Sequence, residues 1–343
     1  MRQPRKFTRL DLLSLPASAV GKEKAFLSML DAKVVVCGTL VADVRVRPFH
    51  PVGPENPGGL RHVEEVRLAA GGLVANTGMA LARMGTPTLA LGRLGDDPIG
   101  TVILDELARS GLGVDRLHRQ PDCPTSTVLV CVDPEGERTF HIAPGANPLF
   151  DLHDLERNWD ALCSARAIVL GYLGELPALD PLLPDLLARL RRESDALLVL
   201  ETAGPQTHTR PLLDQCLPAL DVFFPSWREA RELTGCQAPA EALRDLARGG
   251  SPAILGLKLG HLGSVLWANG EAVMIPPIPV PVMDATGAGD VFLAGLLAAL
   301  LDGQSPQVAC TIGNYSAGLA ISTRGGAGRI PPLSELLIRC GAA

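Results

Sequence analysis

The 343-residue chain is poor in aromatic residues, at 4%, and contains no long uninterrupted apolar run, no Lys/Arg block and no C-x-x-C pair. Each absence removes a class of function. The longest candidate for a membrane span, 291–301, falls well short of the roughly 20 apolar residues a spanning helix needs. A formal net charge of −6 without a basic cluster argues against a nucleic-acid-binding surface. The eight cysteines (Cys37, Cys123, Cys131, Cys163, Cys216, Cys236, Cys310 and Cys340) are scattered, several of them inside apolar runs such as Val34-Val35-Val36-Cys37. They read as reduced, buried thiols, not as a disulfide frame or a metal site. Neither the Walker-A pattern G-x-x-x-x-G-K-[ST] nor the H-R-D and D-F-G pair occurs, which excludes P-loop and protein-kinase folds. Residues 10–16, Leu-Asp-Leu-Leu-Ser-Leu-Pro, do not supply the continuous apolar core of a signal peptide. The expectation is a cytoplasmic protein with an N-terminal extension over 1–32, frayed or helical.

What is present is a globular composition, 47% hydrophobic, in a chain long enough for one large α/β domain. Short β-branched or Leu-rich runs at 33–39, 88–94, 167–172, 196–201, 221–224 and 253–259 alternate with helical patterns at 73–84, 99–110, 181–193, 227–234 and 239–248. That alternation predicts a mostly parallel sheet with helices on both faces. Two segments, 44–70 and 123–143, leave the pattern. The second reads as two strands joined by Asp133-Pro134-Glu135-Gly136, a strong turn. Together they suggest a small β lid that excludes water from a site; the alternative is a pair of surface hairpins.

The most informative run is Asp284-Ala285-Thr286-Gly287-Ala288-Gly289-Asp290, which enters the apolar stretch 291–301. Small residues at a helix start let backbone amides converge on an anion, and the helix dipole adds to the attraction. Asp290 sits in the first turn beside that point, placed to accept a proton. A Gly-rich helix start with an ordinary first-turn Asp is the plainer alternative. Two more constellations bear on a ligand. Gly71-Gly72 opens a helix with Asn76 one turn inside, where a carboxamide can donate to and accept from sugar hydroxyls. Asp43 lies past the apolar strand that ends at Gly38, where open α/β sheets bind ligands, and could bond two vicinal hydroxyls.

The 284–290 run resembles the C-terminal signature of the ribokinase-like (PfkB-type) carbohydrate kinases, Asp-Thr/Ala-Thr-Gly-Ala-Gly-Asp. The 71–85 run, Gly-Gly-Leu-Val-Ala-Asn-Thr-Gly-Met-Ala-Leu-Ala-Arg-Met-Gly, is similar to the family's N-terminal signature. Pro144-Gly145-Ala146-Asn147 and Lys258-Leu259-Gly260-His261-Leu262-Gly263 match shorter family segments in the same order. The resemblance implies a three-layer α/β/α domain over 33–343 with a mostly parallel sheet and a β lid. It implies transfer of a phosphoryl group from ATP, with Mg²⁺, to a hydroxyl of a small polyol. In it Asp290 is the catalytic base, and Gly287, Ala288 and Gly289 form the anion hole. Asp43, Gly71, Gly72 and Asn76 hold the acceptor, while Ser226, Lys258, Gly260, Gly263 and Asn314 line the nucleotide. Glu229 helps place Mg²⁺ indirectly. In several relatives the Gly325-Gly326-Ala327 loop and the residues around Asp284 and Thr286 coordinate a monovalent cation such as K⁺ with backbone carbonyls.

One departure stands out: Ser226 replaces the Asn of the family's Asn-x-x-Glu, so metal placement changes in detail. It also leaves open a sugar-binding regulator that has lost turnover. A free sugar ranks first as acceptor and a nucleoside second, with Phe49 or Phe140 as a base platform. A phosphosugar ranks third, with Arg45, Arg47 and Arg138 at the lid mouth. A homodimer through the lid is the expected assembly.

Overall fold

The computed structural model describes residues 34–50, 60–204, 208–248, 250, 252–322 and 330–342. The extension expected over 1–32 and the Gly325-Gly326-Ala327 loop lie outside them. In chain order the strands are β1 (Val34–Gly38), β2 (Val41–Arg47), β3 (Glu65–Gly71), β4 (Thr88–Leu91), β5 (Arg93–Gly95), β6 (His118–Gln120), β7 (Thr127–Val132), β8 (Arg138–Ala143), β9 (Ala167–Leu173), β10 (Leu197–Thr202), β11 (Val222–Phe223), β12 (Ile254–Lys258), β13 (Ser264–Ala268) and β14 (Glu271–Ile275). The α-helices are α1 (Gly72–Arg83), α2 (Pro98–Arg109), α3 (Leu152–Glu156), α4 (Trp159–Ser164), α5 (Leu183–Glu193), α6 (Arg210–Cys216), α7 (Trp227–Thr234), α8 (Pro239–Arg248), α9 (Ala288–Leu301), α10 (Pro306–Ile321) and α11 (Leu333–Arg339).

Alternate residues of a single buried strand feed two different cores. In β1, Val34 and Val36 join one apolar cluster, while Val35 and Cys37 join the other. In β9, Val169 goes one way and Ile168 and Leu170 the other. This is the period-2 geometry of a strand buried on both faces, and it explains the near-continuous apolar runs. Helices α1, α2, α9, α10 and α11 cover the first face; α5, α6, α7 and α8 cover the second. The result is a three-layer α/β/α domain. Its eight-stranded sheet runs β14-β13-β12-β11-β10-β9-β1-β4, parallel from β4 to β12 and antiparallel at the β13–β14 edge.

Helix α9 is apolar around its whole circumference and buried from Asp290 to Leu301. Such a helix can only sit inside a protein, here packed against α1 and α10. Its first residues, Ala288 and Gly289, are partly exposed, so the helix start opens toward solvent.

A second sheet, β3-β2-β7-β8, stands apart. The β7–β8 hairpin turns at Gly136, whose amide donates to Asp133 O at 3.1 Å. Both runs at 44–70 and 123–143 contribute strands to this sheet, although 51–59 lies outside the described residues. The strand expected over 88–94 is two strands. It breaks at Gly92, where a Cβ would lie 3.0 Å from Gly38 O, and β5 leaves the main sheet to pair with β6. The β13–β14 hairpin was not foreseen, because β14 is mostly exposed and carries no clear alternation. All eight cysteines are free, and four are buried. No helix among the described residues is long and apolar enough to cross a membrane.

Candidate active site

The 284–290 run forms the entry to α9. Gly287 is the N-cap residue with φ 72°, in the left-handed region that favours glycine. A Cβ there would also lie 3.2 Å from the Asn76 carboxamide. The Ala288 amide, first in α9, donates to Ala285 O at 3.4 Å, and the positive end of the helix dipole faces the turn. Asp290 follows, only 7% exposed. Its carboxylate accepts from Asn76 Nδ2 at 2.9 Å and from the Tyr172 hydroxyl, 2.9 Å from each oxygen. Burial pushes Asp290 up to about 6, against the pull of Lys258, Asn76 and Tyr172; Glu229 adds to the rise.

The flank of the site nearest β1 is assembled by the start of α1. Thr39, just past β1, accepts the Val74 amide at 3.1 Å and, through Oγ1, the Leu73 amide at 3.3 Å. That ties the helix to the strand end and points Asn76 at Asp290. Gly71 has no side chain where one would collide with Asp43: a Cβ would sit 2.3 Å from Asp43 Oδ2. The Asp43 carboxylate therefore lies directly against the Gly71-Gly72 backbone. Burial raises it to about 6, opposed by Arg45 and reinforced by Asp290, Asp284 and Glu106. Asp43, Gly71, Gly72, Asn76 and Asp290 are thus brought together.

On the other flank, Lys258 closes β12 and its ammonium bonds Glu201 at the end of β10. Lys258 Nζ lies 3.2 Å from the point a Cβ on Gly289 would occupy, so it touches the turn. Ser226 and Glu229 form a capping box on α7. Ser226 Oγ accepts the Glu229 amide at 3.2 Å, and Glu229 Oε2 accepts the Ser226 amide at 2.8 Å and the Thr202 hydroxyl at 3.0 Å. Gly260 starts a tight turn, and Gly263 fits closely under β14, where a Cβ would meet Ile275 O at 2.3 Å. Asn314 is buried, and its amide donates to Ile275 O at 3.1 Å and Pro276 O at 3.0 Å. Its carboxamide nitrogen is therefore committed to the chain leaving β14.

Asp284 and Thr286 occupy the mouth, beneath the second sheet. Asp284 pairs with Arg45 of β2 at 2.5 Å and with Arg138 of β8 at 3.5 Å, and it accepts the Thr286 amide at 3.0 Å. Arg138 also donates to the Thr286 hydroxyl at 2.6 Å. Burial alone would raise Asp284, but the Thr286 amide and hydroxyl and Arg45 hold it below the usual carboxylate range. The backbone carbonyls expected to hold a monovalent cation include those of 325–327, which lie outside the described residues.

Three residues of the site escaped the sequence: Tyr172, Glu201 and Thr202. Tyr172 has no motif around it. Glu201 had a usable signal, an acid terminating the buried run Leu197-Leu198-Val199-Leu200. Isolated acids at the C-terminal ends of apolar strands are worth marking, since that edge of a parallel sheet carries the ligand.

Known proteins share this fold and family. The family described as pfkB family carbohydrate kinase matches residues 31–332. A ribokinase of Arabidopsis thaliana is 26% identical, covering 98% of this chain and 88% of the relative. A fructokinase of Klebsiella pneumoniae is 30% identical, covering 67% of this chain and 76% of the relative. The structure of Arabidopsis thaliana ribokinase complexed with ribose and ATP superposes with a TM-score of 0.77 at 25% identity, covering 91% of this chain and 99% of that one.

Proposed function

The chain belongs to the pfkB family of carbohydrate kinases, and on that premise we propose that it transfers the terminal phosphoryl group of ATP to a hydroxyl of a free sugar. The observation that carries this reading is the buried Asp290 carboxylate, set at the positive end of α9 beside the left-handed Gly287 turn, with Asn76 bonded to it. In the reaction, Asp43, the Gly71-Gly72 backbone and Asn76 hold the acceptor, and the phosphate lies over Gly287-Ala288-Gly289. Asp290 takes the hydroxyl proton as the acceptor oxygen bonds to phosphorus.

Glu229 presents a carboxylate near this turn, and no group of three or more His, Cys, Asp or Glu among the described residues could hold a metal ion by itself. That donor set fits a hydrated Mg²⁺ carried mainly by the nucleotide, which would offset phosphate charge. The Ser226 hydroxyl caps α7 instead of reaching outward.

The charges favour a neutral acceptor. Asp43, Asp284 and Asp290 outnumber Arg45 and Arg138, and both guanidiniums already bond Asp284 or its neighbour Thr286. A phosphosugar would have to displace those pairs. A nucleoside is the second reading, because Phe140 shares the Arg138 face of β8 and is 53% exposed. The second sheet acts in this scheme as the lid that excludes water. Its opposite face carries exposed Val66 and Leu68, where the expected homodimer would pair.

An ADP-release assay over a panel of sugars and nucleosides, with Mg²⁺ and with or without K⁺, tests the reading. Turnover with a free sugar is expected, with ribose and fructose first in the panel. Asp290→Asn should lower kcat by about two orders of magnitude or more while the protein stays folded. Saturable sugar binding without turnover, or near-normal turnover in Asp290→Asn, overturns it.

A further inference from the structure

Lys258 and Glu201 form an ion pair that the acceptor site does not use. The two residues end β12 and β10, which flank β11 in the sheet, so their side chains meet over the C-terminal edge where the phosphate turn sits. Glu201 is 2% exposed and its Oε2 has no hydrogen-bond partner among the described residues. A buried carboxylate oxygen left unpaired is costly, and an apolar pair of similar shape would serve the fold at least as well. Simple stability therefore does not account for the pair.

Its position suggests another account. Of the cationic side chains in the site, Arg45 and Arg138 are engaged at the mouth, while Lys258 Nζ rests against Gly289 in the middle of the turn. Gly289 allows that approach because it has no Cβ. Glu229, the acid that the resemblance assigns to metal placement, has Oε2 bonded to Ser226 and Thr202.

Resting on the kinase reading above, we propose that Lys258 is the side-chain cation of the phosphoryl-transfer site and that Glu201 is its positioning residue. Without nucleotide the ammonium lies on Glu201. With a triphosphate in the turn it is shared between Glu201 and the terminal phosphoryl group, offsetting the charge on the oxygens of that group as it moves. The acceptor O–P bond forms, the bond from phosphorus to the ADP oxygen breaks, and the acceptor proton goes to Asp290. Lys258 keeps its proton throughout. Its surroundings agree: burial would lower the ammonium, but Glu201, Glu229 and Asp290 together hold it above its ordinary value.

The test is a double-mutant cycle on the full chain, read by steady-state kinetics and by calorimetric binding of ADP and of a non-hydrolysable imido analogue of ATP. Lys258→Met should lower kcat about 100-fold, in the range of a lost anion-hole donor, and leave the sugar KM nearly unchanged. It should weaken the triphosphate analogue far more than ADP. Glu201→Gln should cost about tenfold, as a misplaced group does, and Glu201→Asp should recover part of that loss. The double variant should be no slower than Lys258→Met alone, because Glu201 acts through Lys258. If Lys258→Met fails to fold with Glu201 left uncompensated, the double variant, which removes both charges, carries the test. Losses that multiply in the double variant, a Lys258→Met kcat near wild type, or equal weakening of ADP and the analogue overturn the proposal. Should the wild type turn over no acceptor, the kinase reading fails, and the binding arm still decides whether Lys258 senses the third phosphate.

Discussion

Asp284 and Asp290 stand six residues apart in one run, and their surroundings shift proton affinity in opposite directions. Asp290 is buried with two neutral donors, and burial lifts it to about 6 in spite of Lys258. Asp284 is held low by the Thr286 amide and hydroxyl and by Arg45, with Arg138 close by. The contrast separates two tasks. A base must be ionised yet keep appreciable affinity for a proton, which a dry site with few cations provides. A carboxylate saturated with donors has lost that affinity and serves as an anchor, here joining the second sheet to the start of α9.

Substituting the two residues in parallel should break the comparison most visibly. Asp290→Asn should remove about 100-fold or more of kcat, whereas Asp284→Asn should act mainly on KM, by roughly fivefold, the upper scale of a partly exposed ion pair. Equal losses in kcat would mean that both carboxylates join the chemistry. Next in size is the pH dependence. With Asp290 as base, kcat/KM should fall as pH drops through about 6 and stay flat above it. Asp284→Asn should leave that limb in place. Asn76 and Tyr172 lower the proton affinity of Asp290, so Asn76→Ala or Tyr172→Phe should shift the limb to higher pH, with kcat reduced about tenfold. An acid limb that ignores both substitutions would assign the titration to another group, Asp43 first, since burial raises it to about 6 as well.

The smallest effect is on stability. A carboxyl raised to about 6 binds its proton more tightly folded than unfolded, where it titrates near 4. Its favourable contribution is full below about pH 4 and is lost as pH rises to about 6. At neutral pH the charged side chain is therefore a burden on the fold. Asp290→Asn should melt at a slightly higher temperature than wild type near pH 7.5, with the difference shrinking toward about pH 4. Asp284→Asn should melt lower, because its low proton affinity reflects favourable contacts. Differential scanning calorimetry at two pH values reads both signs.

The parts of the site that were legible in the sequence are those whose chemistry is local. The left-handed Gly287, the dipole of α9 and the first-turn Asp290 follow each other along the chain, so composition alone marks them. Asn76 one turn after Gly71-Gly72, and Asp43 past the end of β1, were readable for the same reason. Lys258 was marked only by the resemblance of the 258–263 segment to the family's. Tyr172 was not readable: it lies 118 residues from the carboxylate it bonds. Nor was the engagement of Arg45 and Arg138, residues 239 and 146 positions from Asp284 in the chain. Their pairing depends on how β2 and β8 are placed in one sheet by the registers through β7.

Alternating apolar runs and helical stretches by themselves determined a parallel α/β sheet, and a run of small residues ending in an acid determined an anion-binding helix start. Both follow from short-range stereochemistry: side-chain period, glycine φ and helix polarity. Tertiary structure alone decided which aspartate has its proton affinity raised and which has it lowered. Proton affinity is set by burial and by the charges that distant strands bring within a few ångströms, and no window of sequence contains those distances.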